Sequence, residues 1–80
     1  GVNNMNGKYY YVKIVKCGCD KQYKYIFETK KNALSFFKVL SEKLVNSYEL
    51  YLYSILEGEK EFMKGIKING KERKTIYDNH

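Results

Sequence analysis

One segment of this chain repeats its apolar residues at helical spacing, and strand-like runs lie on both sides of it. The repeat lies within residues 30–46 and consists of Ala33, Phe37, Leu40 and Leu44, reinforced by Leu34 and Phe36. Residues three and four apart share one side of an α-helix, so this spacing predicts an amphipathic helix of about four turns. Thr29 precedes the segment as a candidate N-cap.

The runs on either side of this segment predict strands. Residues 8–16 and 23–28 are dense in aromatic and β-branched side chains and enclose a turn-rich stretch, which predicts a β-hairpin. Residues 47–56 alternate between two sides, as a half-buried strand does. We therefore expect a strand immediately before the helix and another immediately after it.

The second half of the chain adds further strands. Residues 57–60 predict a turn, residues 61–68 a fourth strand, and residues 75–77 leave a short fifth strand open. Asn69-Gly70 favours a tight type I′ connection. The predicted class is α+β in the order ββαββ(β), an antiparallel or mixed sheet with one helix packed on one face.

The length predicts a single small domain, residues 5–80, with no room for a deep substrate cavity beside its core. Gly1 to Asn4 are typical of residues left by an expression vector, and Met5 is then the expected natural start. No apolar run approaches the ~18 residues of a membrane span, and the polar start lacks the apolar stretch of a signal peptide. We expect no membrane association and a cytoplasmic location.

Charge is segregated along the chain. Residues 1–40 carry eight lysines and two acidic residues, residues 41–61 two lysines and five glutamates, and residues 62–80 five basic and two acidic residues. The net charges of these three stretches are +6, −3 and +3. They predict a dipolar surface whose partners are polar and charged.

Two groups of residues are candidates for contacting a protein partner. Glu57, Glu59 and Glu61 of the predicted turn suit a basic groove on another protein and would repel phosphate. Lys30 and Lys31 occupy the first helical turn, where the helix dipole favours acidic residues, and so predict a site for a phosphate or a partner's carboxylate. The alternative for Lys30 and Lys31 is that they are solvated lysines, at a cost of about a few tenths of a kcal/mol.

The alternative partner is nucleic acid. Strand alternation places Tyr9, Tyr11 and Lys13 on the face away from the helix, together with Tyr51 and Tyr53 of the third strand. Tyrosines interleaved with lysines can stack bases and hold phosphates, as single-strand-binding surfaces do. The same tyrosines also suit protein docking, or are simply half-buried strand residues.

A basic hairpin is the second candidate for contacting nucleic acid. Its side chains are Lys67, Lys71, Arg73 and Lys74, around Asn69-Gly70. Such a ribbon can track a phosphate backbone, or it can be an ordinary solvated ribbon. Arg73 is the only arginine, and base recognition favours arginine, so any nucleic-acid binding is expected to lack sequence specificity.

No pattern in the sequence predicts catalysis, a metal or a cofactor. Cys17 and Cys19 supply only half of a structural zinc site, and the single histidine is the terminal His80. A disulfide between residues two apart would be strained, so we expect reduced thiols. Because nucleophile, phosphate-loop and dinucleotide motifs are absent from the sequence, we expect that this protein is not an enzyme.

The general character of the chain resembles that of small phage and mobile-element proteins, including anti-CRISPR inhibitors. It is a small lone domain without catalytic motifs, and its lysine, asparagine, isoleucine and tyrosine bias is that of an AT-rich coding genome. The resemblance covers no motif and assigns no residue; it implies an inhibitor of nucleic-acid-handling machinery. The sequence therefore predicts a small non-enzymatic protein-binding module of this kind, with a nonspecific single-stranded nucleic-acid-binding protein as the alternative.

Overall fold

The structure, a computed structural model, describes residues 7–79, which form five strands and one helix. The elements are β1 (Lys8–Lys16), β2 (Gln22–Phe27), α1 (Lys30–Lys43), β3 (Ser47–Leu56), β4 (Glu59–Asn69) and β5 (Glu72–Asp78). The predicted α+β class and strand order are confirmed, and the fifth strand is present. The predicted vector remnant (residues 1–4), Met5 and His80 lie outside the described residues.

The strands form one sheet in the order β2-β1-β3-β4-β5, and every neighbouring pair is antiparallel. Helix α1 connects the edge strand β2 to the central strand β3 and contacts β1, β2 and β3. Within residues 7–79, this helix is neither long nor apolar enough to cross a membrane. One face of the sheet therefore carries the helix.

The helix begins where its cap was predicted but ends earlier than residue 46. The Thr29 hydroxyl accepts a hydrogen bond of 3.2 Å from the backbone N–H of Asn32, which satisfies one of the free donors of the first turn. At the other end, Leu44 is extended and Asn46 has a φ of 67°, so neither continues the helix. The predicted range was wrong at its C-terminal end by these last residues.

The two tight turns of the second half differ from the predicted turns, because Glu59 and Lys60 of the predicted turn 57–60 belong to β4 and the second turn has another type. The β3–β4 turn consists of Glu57 and Gly58, and both have positive φ, 50° and 84°, which is the type I′ pattern. In the β4–β5 turn, Asn69 still pairs with Glu72, and only Gly70 has a positive φ, 64°. A positive φ at the first central residue alone is the type II′ pattern, so the predicted type I′ turn at Asn69-Gly70 was wrong.

The hydrophobic core lies between α1 and the sheet. Ala33 and Phe37 of the helix are buried against the sheet, as their spacing predicts. Val12 of β1 and Leu52 of β3 are cross-strand partners, and both are fully buried under the helix. This pair fixes which side of each strand faces the helix.

Arg73 fastens the β4–β5 hairpin to the end of the helix. Its guanidinium donates hydrogen bonds to the carbonyl of Ser41, to the carbonyl of Leu44 at 2.7 Å and to the carbonyl of Gly70 at 2.9 Å. The last carbonyls of a helix lack intrahelical partners and carry partial negative charge, so a cation that donates to them stabilises this end. The fork geometry of arginine suits several carbonyls at once.

We expect Arg73→Met to lower the free energy of unfolding by about 1–2 kcal/mol, because it removes charge-assisted hydrogen bonds to the helix end. Arg73→Lys should recover only part of this loss, since an ammonium lacks the fork. Urea denaturation followed by circular dichroism measures both. Lys71→Met, in the adjacent turn, is the matched control and should change stability by less than about 0.5 kcal/mol; equal losses for the two Met variants would contradict this role of Arg73.

Candidate functional site

The face of the sheet opposite the helix is the candidate site. Cross-strand partners point to the same side of a sheet, so the register assigns each residue to a face. Because Val12 and Leu52 face the helix, their strand neighbours face away from it. We call this side of the sheet the open face. Its main side chains are Tyr9, Tyr11, Lys13, Lys24, Glu49, Tyr51, Tyr53, Ile55, Lys60, Phe62, Lys67, Glu72, Lys74 and Tyr77.

Four aromatic rings form a continuous stack across the open face, in which the middle rings, Tyr53 and Phe62, are tilted by 34° to each other. The ring centroids are 4.9 Å apart for Tyr11 and Tyr53, 5.3 Å for Tyr53 and Phe62, and 4.8 Å for Phe62 and Tyr77. These spacings are close to the ~4.7–4.9 Å between neighbouring strands, so each of β1, β3, β4 and β5 contributes one ring. Tyr51 lies beside the stack, 5.7 Å from Phe62.

The stack leaves few ring faces free. Tyr11 lies between Tyr53 and the ammonium of Lys24, which is 4.5 Å from its ring centroid, and only 6% of its surface is exposed. Tyr53 lies between Tyr11 and Phe62. The sequence suggested that bases stack on Tyr11 and Tyr53, but the neighbouring side chains already occupy both faces of these rings.

Lysine side chains lie over the aromatic layer. Lys13 Nζ is 5.4 Å from the centroid of Tyr51, and Lys60 Nζ is 4.9 Å from that of Tyr53. Ammonium groups are attracted to the faces of aromatic rings, and the aliphatic stems of lysine cover apolar surface while the charge stays in water. The outer layer of the open face is therefore basic, and the aromatic rings lie beneath it.

Two pairs of lysines face each other directly across neighbouring strands. Lys13 of β1 is the partner of Lys24 of β2, and Lys67 of β4 is the partner of Lys74 of β5. Like charges at directly opposed positions destabilise a sheet, by an amount on the order of 0.2–1 kcal/mol per pair. Both unfavourable pairs lie on the open face, one near each edge of the sheet.

Two half-buried tyrosines of the open face, Tyr51 and Tyr53, have raised pKa values. Burial raises the pKa of Tyr51, and its hydrogen bond of 2.6 Å to Glu49 Oε1 raises the pKa further because a carboxylate disfavours a neighbouring phenolate. Burial also raises the pKa of Tyr53, although the positive charge of Lys60 opposes the effect. One of the two carboxylates of the open face is thus engaged by a hydroxyl.

The predicted protein-binding residues lie away from the open face. Glu59 and Glu61 pair with Leu56 and Ser54, which places both carboxylates on the helix side of β4. Glu57 is at the tip of the β3–β4 turn. Lys30 and Lys31 begin the helix just after β2, at the same end of the sheet as this turn.

The structure divides the predicted basic hairpin between the two faces. Lys67 and Lys74 lie on the open face, and Lys71 lies in the turn. Arg73, in contrast, is on the helix side, where it holds the helix end. Tyr9, also predicted to point away from the helix, lies opposite Ile55 on the open face.

Sequence reasoning did not include Lys24, Lys60, Phe62 or Tyr77 in the site. Irregular pairing interrupts β4 near Met63 and β5 near Ile76, so that strict alternation assigns Phe62 and Tyr77 to the wrong face. The sequence does not reveal such bulges. Lys24 was within reach, because it alternates with Tyr23 and Tyr25 in a predicted strand.

In the part of the chain that the structure describes, side chains that could bind a metal ion are not clustered. Cys17 and Cys19 are both free thiols, and residues 7–79 contain no group of three or more side chains suited to hold a metal ion. The terminal His80 lies outside the described residues.

We expect Gly65→Ala to destabilise the protein by about 1–3 kcal/mol, although alanine is ordinarily the better strand residue by about 0.5–1 kcal/mol. A Cβ at this position would lie 2.7 Å from Cζ of Phe62, whose ring is held between Tyr53 and Tyr77. Urea denaturation measures the change. Gly7→Ala is the control, because a Cβ there meets no atom within 4 Å. The cost should fall in a Phe62→Leu background, and an unchanged cost there would contradict the clash.

Alkaline pH should destabilise the fold through Tyr51. Its raised pKa means that the folded state keeps this proton longer than the unfolded state does, so its stabilising contribution is complete below about pH 10 and is lost as the pH rises further. Between about pH 10 and 12, the unfolding free energy of the wild type should fall more steeply than that of Tyr51→Phe. Parallel curves from urea denaturation at each pH would contradict the role of Tyr51.

Comparison with known proteins identifies no relatives for this chain: no family model matches it, and no curated protein or solved structure shows significant similarity to it. The resemblance to phage and mobile-element inhibitors therefore stays a prediction from general character. The functional conclusion depends on the chemistry of the open face.

Proposed function

We propose that this protein binds single-stranded nucleic acid, without sequence specificity, through the open face. The two directly opposed lysine pairs, Lys13 with Lys24 and Lys67 with Lys74, carry this proposal. The two ammonium groups of each pair repel each other, although Glu49 lies opposite Lys67 on β3 and moderates the repulsion there. Each pair becomes favourable when an anion lies between or above its ammonium groups. A phosphate backbone that crosses the sheet supplies such anions at both pairs.

The charge balance of the open face supports a polyanionic ligand. Five lysines lie on it, Lys13, Lys24, Lys60, Lys67 and Lys74, against the two carboxylates of Glu49 and Glu72. Lysines that neutralise phosphates release condensed counterions, which drives binding and makes it dependent on salt. The sequence predicts that the acidic turn repels phosphate. This repulsion is smaller at the open face, because Glu59 and Glu61 point to the helix side.

The shape and side chains of the face favour an unpaired, nonspecific strand. Among residues 7–79, the five-stranded sheet face carries no projecting helix or ribbon that can enter the major groove of a duplex. Arg73 is engaged by helix carbonyls, so the open face holds no arginine to form the bidentate contact that most often identifies guanine. Basic surfaces that also carry aromatic side chains are typical of single-strand binding.

A protein-binding function is the second candidate, and the conformation of Glu57 favours it. A non-glycine residue with a φ of 50° is uncommon, and it presents this carboxylate at the tip of the β3–β4 turn beside Glu59. Lys30 and Lys31 lie at the same end of the sheet. A protein partner there, including a nucleic-acid-handling complex inhibited in the anti-CRISPR manner, would use a surface distinct from the open face. Charge reversal at Glu57, Glu59 and Glu61 tests it by abolishing capture of that partner.

We expect the lysine pairs to set both the affinity and its salt dependence. Removing one pair by Lys13→Gln with Lys24→Gln, or the other by Lys67→Gln with Lys74→Gln, should weaken binding and lower the slope of log K against log salt by about 0.7 per lost phosphate contact. Fluorescence anisotropy of a labelled oligothymidylate, titrated at several salt concentrations, measures both quantities.

The matched control is Lys30→Gln with Lys31→Gln, which removes the same charge from the helix. It should leave the salt slope unchanged. If this control weakens binding as much as the open-face variants do, net charge and not the open face governs the interaction. If the wild type does not bind even at low salt, the proposed function is wrong.

A further inference from the structure

The aromatic stack ends at the edge of the sheet, and its last ring has a free face. Tyr77 lies on β5, the edge strand, and stacks on Phe62 with a centroid distance of 4.8 Å. No strand lies beyond β5 among residues 7–79, and 38% of the Tyr77 surface is exposed. We propose that this outward face is the platform on which one nucleobase of the bound strand stacks, an inference that rests on the proposed function.

The remaining rings of the stack are unsuited to this role. Tyr11 is covered by Tyr53 on one side and by the Lys24 ammonium on the other. Tyr53 and Phe62 each have a ring neighbour on both sides. A base could reach these faces only by separating rings that already contact one another, whereas at Tyr77 it adds to the stack without displacing anything.

The platform is held in position before a ligand arrives. Gly65 is the cross-strand partner of Tyr77, and its lack of a side chain lets the Phe62 ring lie directly above the backbone. Phe62 in turn supports one face of Tyr77. A ring that is already oriented loses little conformational freedom on binding, so more of the stacking energy contributes to affinity.

Phosphate-binding groups lie beside this platform. On the open face, the opposed pair Lys67 and Lys74 forms the next cross-strand row after that of Gly65 and Tyr77. A base on Tyr77 and the phosphate of the same or the adjacent nucleotide are therefore recognised by neighbouring side chains. This combination distinguishes a nucleotide from a polyphosphate or an acidic peptide, and it requires a base that is not paired in a duplex.

The test compares two oligonucleotides of equal length and charge, an oligothymidylate and an abasic strand of about ten nucleotides each. The wild type should bind the oligothymidylate more tightly, and Tyr77→Leu should weaken that binding by about 5- to 150-fold, the loss typical of removing one stacking ring. Binding of the abasic strand should not change in Tyr77→Leu. Tyr77→Phe keeps the ring and should keep the affinity.

The matched control is Tyr25→Leu, which removes a tyrosine of similar exposure on the helix side of β2. It should bind both strands as the wild type does. Equal wild-type affinity for the two strands, which needs no variant, would overturn the inference and leave a lysine-dependent phosphate site intact. An effect of Tyr77→Leu on sedimentation, with unchanged oligonucleotide binding, would assign the ring to contacts between copies of the chain. If the wild type binds neither strand, the proposed function itself is wrong.

Discussion

A single short helix packs against a sheet of five strands and cannot cover it, and this limit determines the rest of the structure. The 14 residues of α1 extend for about 21 Å, and a helix about 10 Å wide covers only two or three strands. It packs mainly against β1, β2 and β3, and only the Lys64 and Arg73 side chains of β4 and β5 are seen to reach it from the rest of that face. The opposite face must be covered by its own side chains, because residues 7–79 provide no second layer there.

The aromatic stack covers the sheet face that has no helix. Rings that stand on adjacent strands at the strand spacing bury one another, so that Tyr11 is nearly as inaccessible as a core residue although no helix lies above it. Lysine stems complete the cover and keep their charges in water. The same arrangement that stabilises the sheet therefore places a layer of positive charge on its outer surface, and we propose that this layer is the binding surface.

Local sequence patterns predicted the elements because the determinants of those elements are local. Only residues close in sequence determine the helical repeat around Phe37, the Thr29 cap and the alternation of β3. The end of the helix was misjudged because the extended Leu44 and left-handed Asn46 override the apolar periodicity. Tyr9, Tyr11, Lys13, Tyr51 and Tyr53 were assigned to one face by alternation alone, and the structure places them there together.

The sequence predicted the residues of the site less completely, because the set of residues on one face depends on pairing between distant segments. Phe62 and Tyr77 join the open face only through irregularities in β4 and β5. The sequence predicted Arg73 as part of a basic hairpin, but its partners are carbonyls at the helix end, about thirty residues earlier in the chain. The opposed lysine pairs likewise follow from register, since no spacing along the chain relates Lys13 to Lys24 or Lys67 to Lys74.

Lysine footprinting tests the central claim most directly, because lysines lie on both faces of the sheet. The protein is acetylated briefly with and without a saturating oligothymidylate, and the modification of each lysine is measured by mass spectrometry. The account predicts that Lys13, Lys24, Lys67 and Lys74 become protected while Lys30, Lys31, Lys38 and Lys43 of the helix do not. Protection of the helix lysines with the open-face lysines unchanged would contradict it.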